Sequence, residues 1–226
     1  MDTKFLEKDN SSMVISYITI RRILGLLALF LPFILAIGTI WFGNCSTIER
    51  SMSAYYYTVT GHVFIAILFT FALFLFTYKG NEVIDTVMSN IAAVCALGIA
   101  FFPTTYGIDR NSCIVLTTES KPIISNIHFI SAALFFIILA YMSYFLFTKS
   151  APHPTNQKKK RNTVYRICAW IMILSILLIP VYELFFKDNT FISNLNPVFL
   201  LETLALWAFG VSWLVKGETI LRDKKK

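Results

Sequence analysis

Six apolar stretches punctuate the chain, at roughly 23–43, 58–78, 84–103, 123–147, 164–186 and 196–215. Each is close to the ~20 residues an α-helix needs to cross ~30 Å of hydrocarbon. The pattern predicts an all-α fold, a polytopic membrane helix bundle of six transmembrane helices. Residues 1–22 read as a cytoplasmic N-terminal segment, 23–215 as the transmembrane domain and 216–226 as a basic cytoplasmic tail. Within the lead-in, Ser11 to Ile20 reads as an amphipathic segment lying against the headgroups.

The positive charges orient the bundle. Of twenty Lys and Arg residues, only Arg50, Arg110, Lys121 and Lys187 fall in segments on one side. The other side holds all the rest, including Arg21-Arg22, the run Lys158-Lys159-Lys160-Arg161 and the C-terminal lysines. By the positive-inside rule this predicts both termini in the cytoplasm (N-in/C-in). The expected location is a plasma or bacterial inner membrane.

Composition agrees. Hydrophobic residues make up 56% of the chain and charged residues 15%, where a soluble domain carries about 25% charged residues. Lipid must be the solvent for much of this surface. The net charge of +7 reads as topology plus attraction to anionic headgroups. No aromatic-basic motif accompanies it, so nucleic acid is not an expected partner. The expected partners are membrane lipids, with a second copy or another membrane protein left open. The first span has a basic start, but its apolar run exceeds the 7–15 residues of a signal-peptide core. It therefore reads as an uncleaved helix.

Four cysteines divide in two pairs. Cys95 and Cys168 lie within spans and read as packing residues. Cys45 and Cys113 fall in the first and second outside loops, where an oxidising compartment would allow a disulfide. The same first loop ends in Tyr55-Tyr56-Tyr57, which suits an interfacial belt. The inside segment 149–163 reads as a solvated loop.

A short internal similarity links His62-Val63-Phe64-Ile65-Ala66-Ile67-Leu68-Phe69 with His128-Phe129-Ile130-Ser131-Ala132-Ala133-Leu134-Phe135. Duplication of a two-helix hairpin and chance in Phe/Leu-rich sequence are both open readings.

Ionisable groups inside a bilayer are expensive and need a partner or a task. Glu202 lies about six residues into the last span, roughly 9 Å below its outer edge. His128 lies at similar depth in the fourth span. His62, Glu183, Arg50, Ser51 and Ser53 all fall at the outer ends. The topology therefore gathers the polar groups in the outer half. It predicts a polar pocket open to the outer leaflet, with His128, Glu202, Arg50, His62, Ser53, Tyr56 and Glu183 as ligand-binding residues. The competing reading is an Arg50–Glu202 or His128–Glu202 pair that only holds helices together. Gly210 in the last span would let another helix approach closely, and Asp85 and Asn90 would bind an ion or cap a helix, capping being the more ordinary reading.

Catalytic readings are thinner. His62, His128 and Glu202 would give the two-His, one-carboxylate set used by catalytic zinc, with no His-x-x-x-His or Cys-x-x-Cys spacing to support it. Ser51 or Ser53 with His128 and Glu202 would supply a Ser–His–acid arrangement, without a nucleophile-elbow motif. No cofactor is otherwise expected.

The polar loop before span two, Asn90, Phe101-Phe102-Pro103 and His128-Phe129-Ile130-Ser131-Ala132-Ala133-Leu134-Phe135-Phe136 together resemble the DRAM/Sfk-type six-helix membrane proteins and related bacterial families of unknown function. Where that family carries Pro-x-Ile-Ser-Asp, this chain has Ser51-Met52-Ser53-Ala54-Tyr55. The resemblance implies an integral membrane protein with sensing, trafficking or lipid-organising roles rather than defined catalysis. A looser similarity is to intramembrane ceramidase-like hydrolases, which place a Ser, an Asp and several His around zinc; this chain has too few buried histidines for that pattern. The leading expectation is a non-enzymatic protein that binds a lipid or small amphiphile. The alternatives are a metal-dependent intramembrane lipid hydrolase and a proton-coupled small-molecule carrier using Glu202.

Overall fold

The computed structural model describes the backbone of residues 3–80, 82–105 and 121–222, with side chains from residue 17 onward in those ranges. All regular structure among the described residues is helical. The helices are α1 (Thr3–Gly43), α2 (Gly61–Thr77), α3 (Val83–Phe101), α4 (Pro122–Tyr141), α5 (Asn156–Phe185), α6 (Thr190–Ser193) and α7 (Pro197–Lys216). A 3-10 turn, Ser53–Tyr57, precedes α2, and a π-turn, Met142–Leu146, ends α4.

Five helical segments are long and apolar enough to cross a membrane: Tyr17–Gly43, Val83–Phe101, Pro122–Leu146, Asn156–Phe185 and Pro197–Lys216. α2 is apolar but only 17 residues long. The lead-in is continuous with the first apolar stretch: α1 runs unbroken from Thr3. One expectation is corrected here. The basic run Lys158–Arg161 is not loop but the first turns of α5, started by Thr155, whose hydroxyl accepts from the Lys158 N–H at 3.1 Å. A Ser/Thr cap satisfies one of the four free donors of a helix start, which offsets crowding of like charge.

The long helices close into a ring. α1 packs on α2, α2 on α3, α3 on α4, α4 on α5, α5 on α7 and α7 back on α1. The inward faces follow helical spacing: Leu24, Ala28, Leu31 and Leu35 on α1, and Phe64, Leu68, Phe71 and Leu75 on α2, are all buried. α7 is the most enclosed of the spans, with 61% of its apolar window buried against 22% for α5. The outward faces are equally apolar. Phe30, Phe33, Ile37, Trp41, Leu177, Leu184 and many others are exposed. Helices apolar all round belong in lipid.

α7 is seated by close approach. A Cβ on Gly210 would lie 2.8 Å from the Gly25 carbonyl oxygen, and one on Gly25 would lie 2.8 Å from that of Gly210. Only hydrogen fits at both positions, so the backbones of α1 and α7 touch directly. At the other end of α7, Asn196 takes the left-handed conformation (φ 49°, ψ 56°) and Pro197 opens the helix. Asn tolerates that conformation better than most residues, and Pro lacks the N–H that a first helical position could not use. Asp85 caps α3, accepting from the Glu82 N–H at 2.9 Å.

Candidate functional site

The loop after α1 folds back onto the start of α7. Asn44 leaves α1 in the left-handed region (φ 53°). The Phe199 N–H, one of the free donors at the start of α7, is met by the Arg50 carbonyl at 3.0 Å. Two residues later the Met52 N–H donates to Glu202 Oε2 at 2.5 Å. Ser53 opens the 3-10 turn, and its hydroxyl lies 3.4 Å from Glu202 Oε1 and 2.9 Å from His128 Nε2. The other imidazole nitrogen, Nδ1, lies 2.7 Å from the Phe102 carbonyl. Ser53 and His128 are buried, and Glu202 is half-buried.

This geometry leaves two arrangements of the protons. A carbonyl only accepts, so His128 Nδ1 carries hydrogen and donates to Phe102. In a neutral imidazole Nε2 is then an acceptor, and Ser53 donates to it. Ser53 has one hydrogen and cannot also donate to Glu202. The Ser53–Glu202 contact is satisfied in this arrangement when Glu202 is protonated and donates to the Ser53 oxygen. If His128 is instead an imidazolium, Nε2 donates to Ser53 and the Ser53 hydrogen turns to a Glu202 carboxylate. Both arrangements hold the same number of protons, and they differ by one transfer through the hydroxyl.

The arrangement is not a Ser–His–acid triad. There the acid holds the histidine nitrogen remote from the nucleophile. Here Phe102 O occupies that place, and Glu202 lies on the far side of Ser53.

Beneath these groups is a cavity of about 50 Å³, lined by Met52, Ser53 and Glu202 above and Leu31, Phe64, Phe71 and Phe135 among others below. Ligand pockets span ~300–1,000 Å³, so this one has room for water and none for a lipid chain. A larger cleft of about 310 Å³ lies between the C-terminal end of α5 and the start of α7, with Arg50, Tyr182, Glu183, Lys187, Asp188 and Asn196 on its walls.

The seven expected ligand-binding residues thus separate. Ser53, His128 and Glu202 meet in one hydrogen-bonded chain. Arg50 and Glu183 line the larger cleft. His62 is exposed on the first turn of α2, so the aligned residues His62 and His128 sit in different environments. Tyr56 is half-buried, edge-on to Tyr57 at 5.2 Å. Among the described residues no three His, Cys, Asp or Glu side chains converge as metal ligands, and the set His62, His128 and Glu202 is not assembled.

The three tyrosines do not form a common interfacial belt. Tyr55 and Tyr57 are buried. The Tyr55 hydroxyl accepts from the Glu49 N–H at 3.1 Å, and Tyr57 donates to the Thr104 carbonyl. Consecutive residues of a 3-10 turn point about a third of a turn apart, which sends the three rings to different surroundings. Burial pushes the Tyr55 phenol up to about 12. Cys45 is disulfide-bonded, whereas Cys95 and Cys168 are free. Cys113 lies outside the described residues.

Sequence reasoning had no access to the backbone partners of this network. The Met52 N–H and the Phe102 carbonyl carry no residue-type signal, and neither does the use of Asn196 to aim α7 at the cleft. No protein-family model, curated protein or solved structure matches this chain.

Proposed function

We propose that this is a six-span membrane protein, with both termini cytoplasmic, that binds the polar headgroup of a lipid or small amphiphile at its outer end. α2 serves as the sixth span. Its 17 residues rise about 26 Å, close to the ~30 Å of the hydrocarbon core.

The observation that carries the binding reading is the 310 Å³ cleft, whose walls hold two cations, Arg50 and Lys187, and two carboxylates, Glu183 and Asp188. A lining of both signs suits a zwitterionic headgroup. Exposed Leu184 and Phe185 at the adjoining end of α5 offer apolar surface for a tail. This assignment needs no catalytic group, in keeping with the DRAM/Sfk-type resemblance.

The test is mass spectrometry of lipids retained by the purified protein, compared with Ser193→Trp, which fills the cleft from its wall. A zwitterionic amphiphile retained by the wild type and lost from the variant supports the reading. Equal retention by both refutes it.

A second reading, the proton-coupled carrier, is favoured by the Glu202–Ser53–His128 chain, which can hold one proton at either end. It requires that pH-dependent uptake into vesicles be abolished by Glu202→Gln.

A further inference from the structure

The opposite, basic end of the bundle carries a second constellation. Arg21 of α1 lies with its Cζ 4.5 Å from the Tyr17 ring centre and 5.5 Å from that of Tyr78. Lys216, the last residue of α7, has its Nζ 4.9 Å from the centre of the Phe147 ring. The two cations share one platform: Tyr78 and Phe147 are 6.4 Å apart, and both rest against Trp213, at 5.1 and 5.5 Å. All three rings are buried, none more than 4% exposed.

Topology alone does not account for this. The positive-inside rule explains how many cations lie at this end. It does not explain why two of them converge. A lysine at a helix end normally snorkels into water, yet Lys216 lies folded over Phe147 and half-buried. Neither Arg21 nor Lys216 has a hydrogen-bond or ion-pair partner among the described residues, and Arg21 Nε is buried with none.

Arg21, Lys158 and Arg161 all act electrostatically on Lys216, with Asp85 the carboxylate in range. Asp85 already caps α3. Lys158 donates to the Phe147 carbonyl at 2.8 Å and Arg161 to the Leu221 carbonyl at 3.1 Å. These bonds hold both flanking cations in place. Arg21 and Lys216, two like charges in partly desolvated surroundings with no ion-pair partner among the described residues, repel unless an anion joins them.

We propose that Arg21 and Lys216 clamp a phosphate group at the basic end of the bundle, with Lys158 and Arg161 flanking it. The position at the end of spanning helices makes the phosphodiester of an anionic lipid the occupant, and a free phosphate would share the chemistry. Guanidinium and ammonium over aromatic rings keep their N–H groups free to donate to phosphate oxygens. The proposal is independent of the larger cleft, which lies at the other end.

The experiment is native mass spectrometry of the full chain with added phosphatidylglycerol or phosphatidylcholine, each with and without excess inorganic phosphate. Wild type should take up phosphatidylglycerol in preference. The double variant Arg21→Gln/Lys216→Gln should weaken phosphatidylglycerol binding about thirtyfold, on the order of 1 kcal/mol for each of the two cations removed. A charge-matched control, Lys160→Gln/Arg166→Gln, alters exposed cations elsewhere on α5 and should retain binding. Lys216→Arg should also retain it, which separates loss of the clamp from loss of folding. Inorganic phosphate that binds and displaces the lipid, with no preference between the two lipids, supports the clamp and makes free phosphate its ligand. Equal losses in the clamp and control variants would overturn it.

Discussion

Ser53, on the loop after α1, hydrogen-bonds His128 Nε2 on α4 at 2.9 Å, across 75 positions of the chain. The same hydroxyl faces Glu202 on α7. One small side chain therefore joins a loop and two helices, and it is the only side-chain hydroxyl in the described residues placed between an acid and an imidazole.

The first prediction follows from what Glu202 accepts. Glu202→Gln keeps a carbonyl oxygen for the Met52 N–H and should unfold near the wild-type temperature. Glu202→Leu leaves that buried donor unmet and should cost about 1–3 kcal/mol. Thermal unfolding in a fixed detergent separates them, and equal midpoints would show that the loop is held by something else. In nitrogen-15 NMR, neutral His128 should carry its hydrogen on Nδ1.

Contact between Gly25 and Gly210 gives a second. An Ala at a helical Gly normally stabilises by about 1 kcal/mol. Here the added methyl meets a carbonyl oxygen of the facing helix at 2.8 Å, and backbone cannot step aside as a side chain can. Gly210→Ala should instead destabilise by about 1–3 kcal/mol. A raised melting temperature would refute the close approach.

Alkaline pH provides a third. Tyr55 titrates near 12 in the folded chain because burial disfavours the phenolate, whereas an unfolded tyrosine ionises near 10. Its contribution to stability is fully present below about 10 and is lost as pH rises toward 12, because only the unfolded state gains by ionising. Tyr55→Phe should flatten the fall in melting temperature across that window. An unchanged slope would mean that Tyr55 ionises freely.

Cys45 supplies the fourth. It is disulfide-bonded while Cys95 and Cys168 are free, and the proposed partner is Cys113. Non-reducing proteolysis should yield a Cys45–Cys113 linked peptide, and Cys45→Ser should cost about 2–4 kcal/mol. A linkage to a second chain, seen as a reducible dimer, would replace the intramolecular bridge.

Orientation is the fifth. Single cysteines placed at 159 and at 188 should label from opposite sides of an intact membrane, with 188 accessible from outside. Labelling of both from one face would remove the six-span topology.

Much of the architecture was legible in the order of residues. The ends of α2, α3 and α7 fall within about three residues of the apolar stretches, because a helix in lipid must satisfy every backbone group within its own segment. Helices long and apolar enough to span a membrane, the basic character of one end of the bundle and the placement of Glu202 and His128 within helices were legible from local pattern in the same way. Tertiary structure alone decided which polar groups meet. Ser53, His128 and Glu202 are joined, Arg50 and Glu183 go to another cleft, and His62 stands apart. The reason is that those contacts depend on helix rotation and on where a loop's backbone N–H and C=O groups come to rest. Such distances arise between segments far apart in the chain, and no pattern within one segment encodes them.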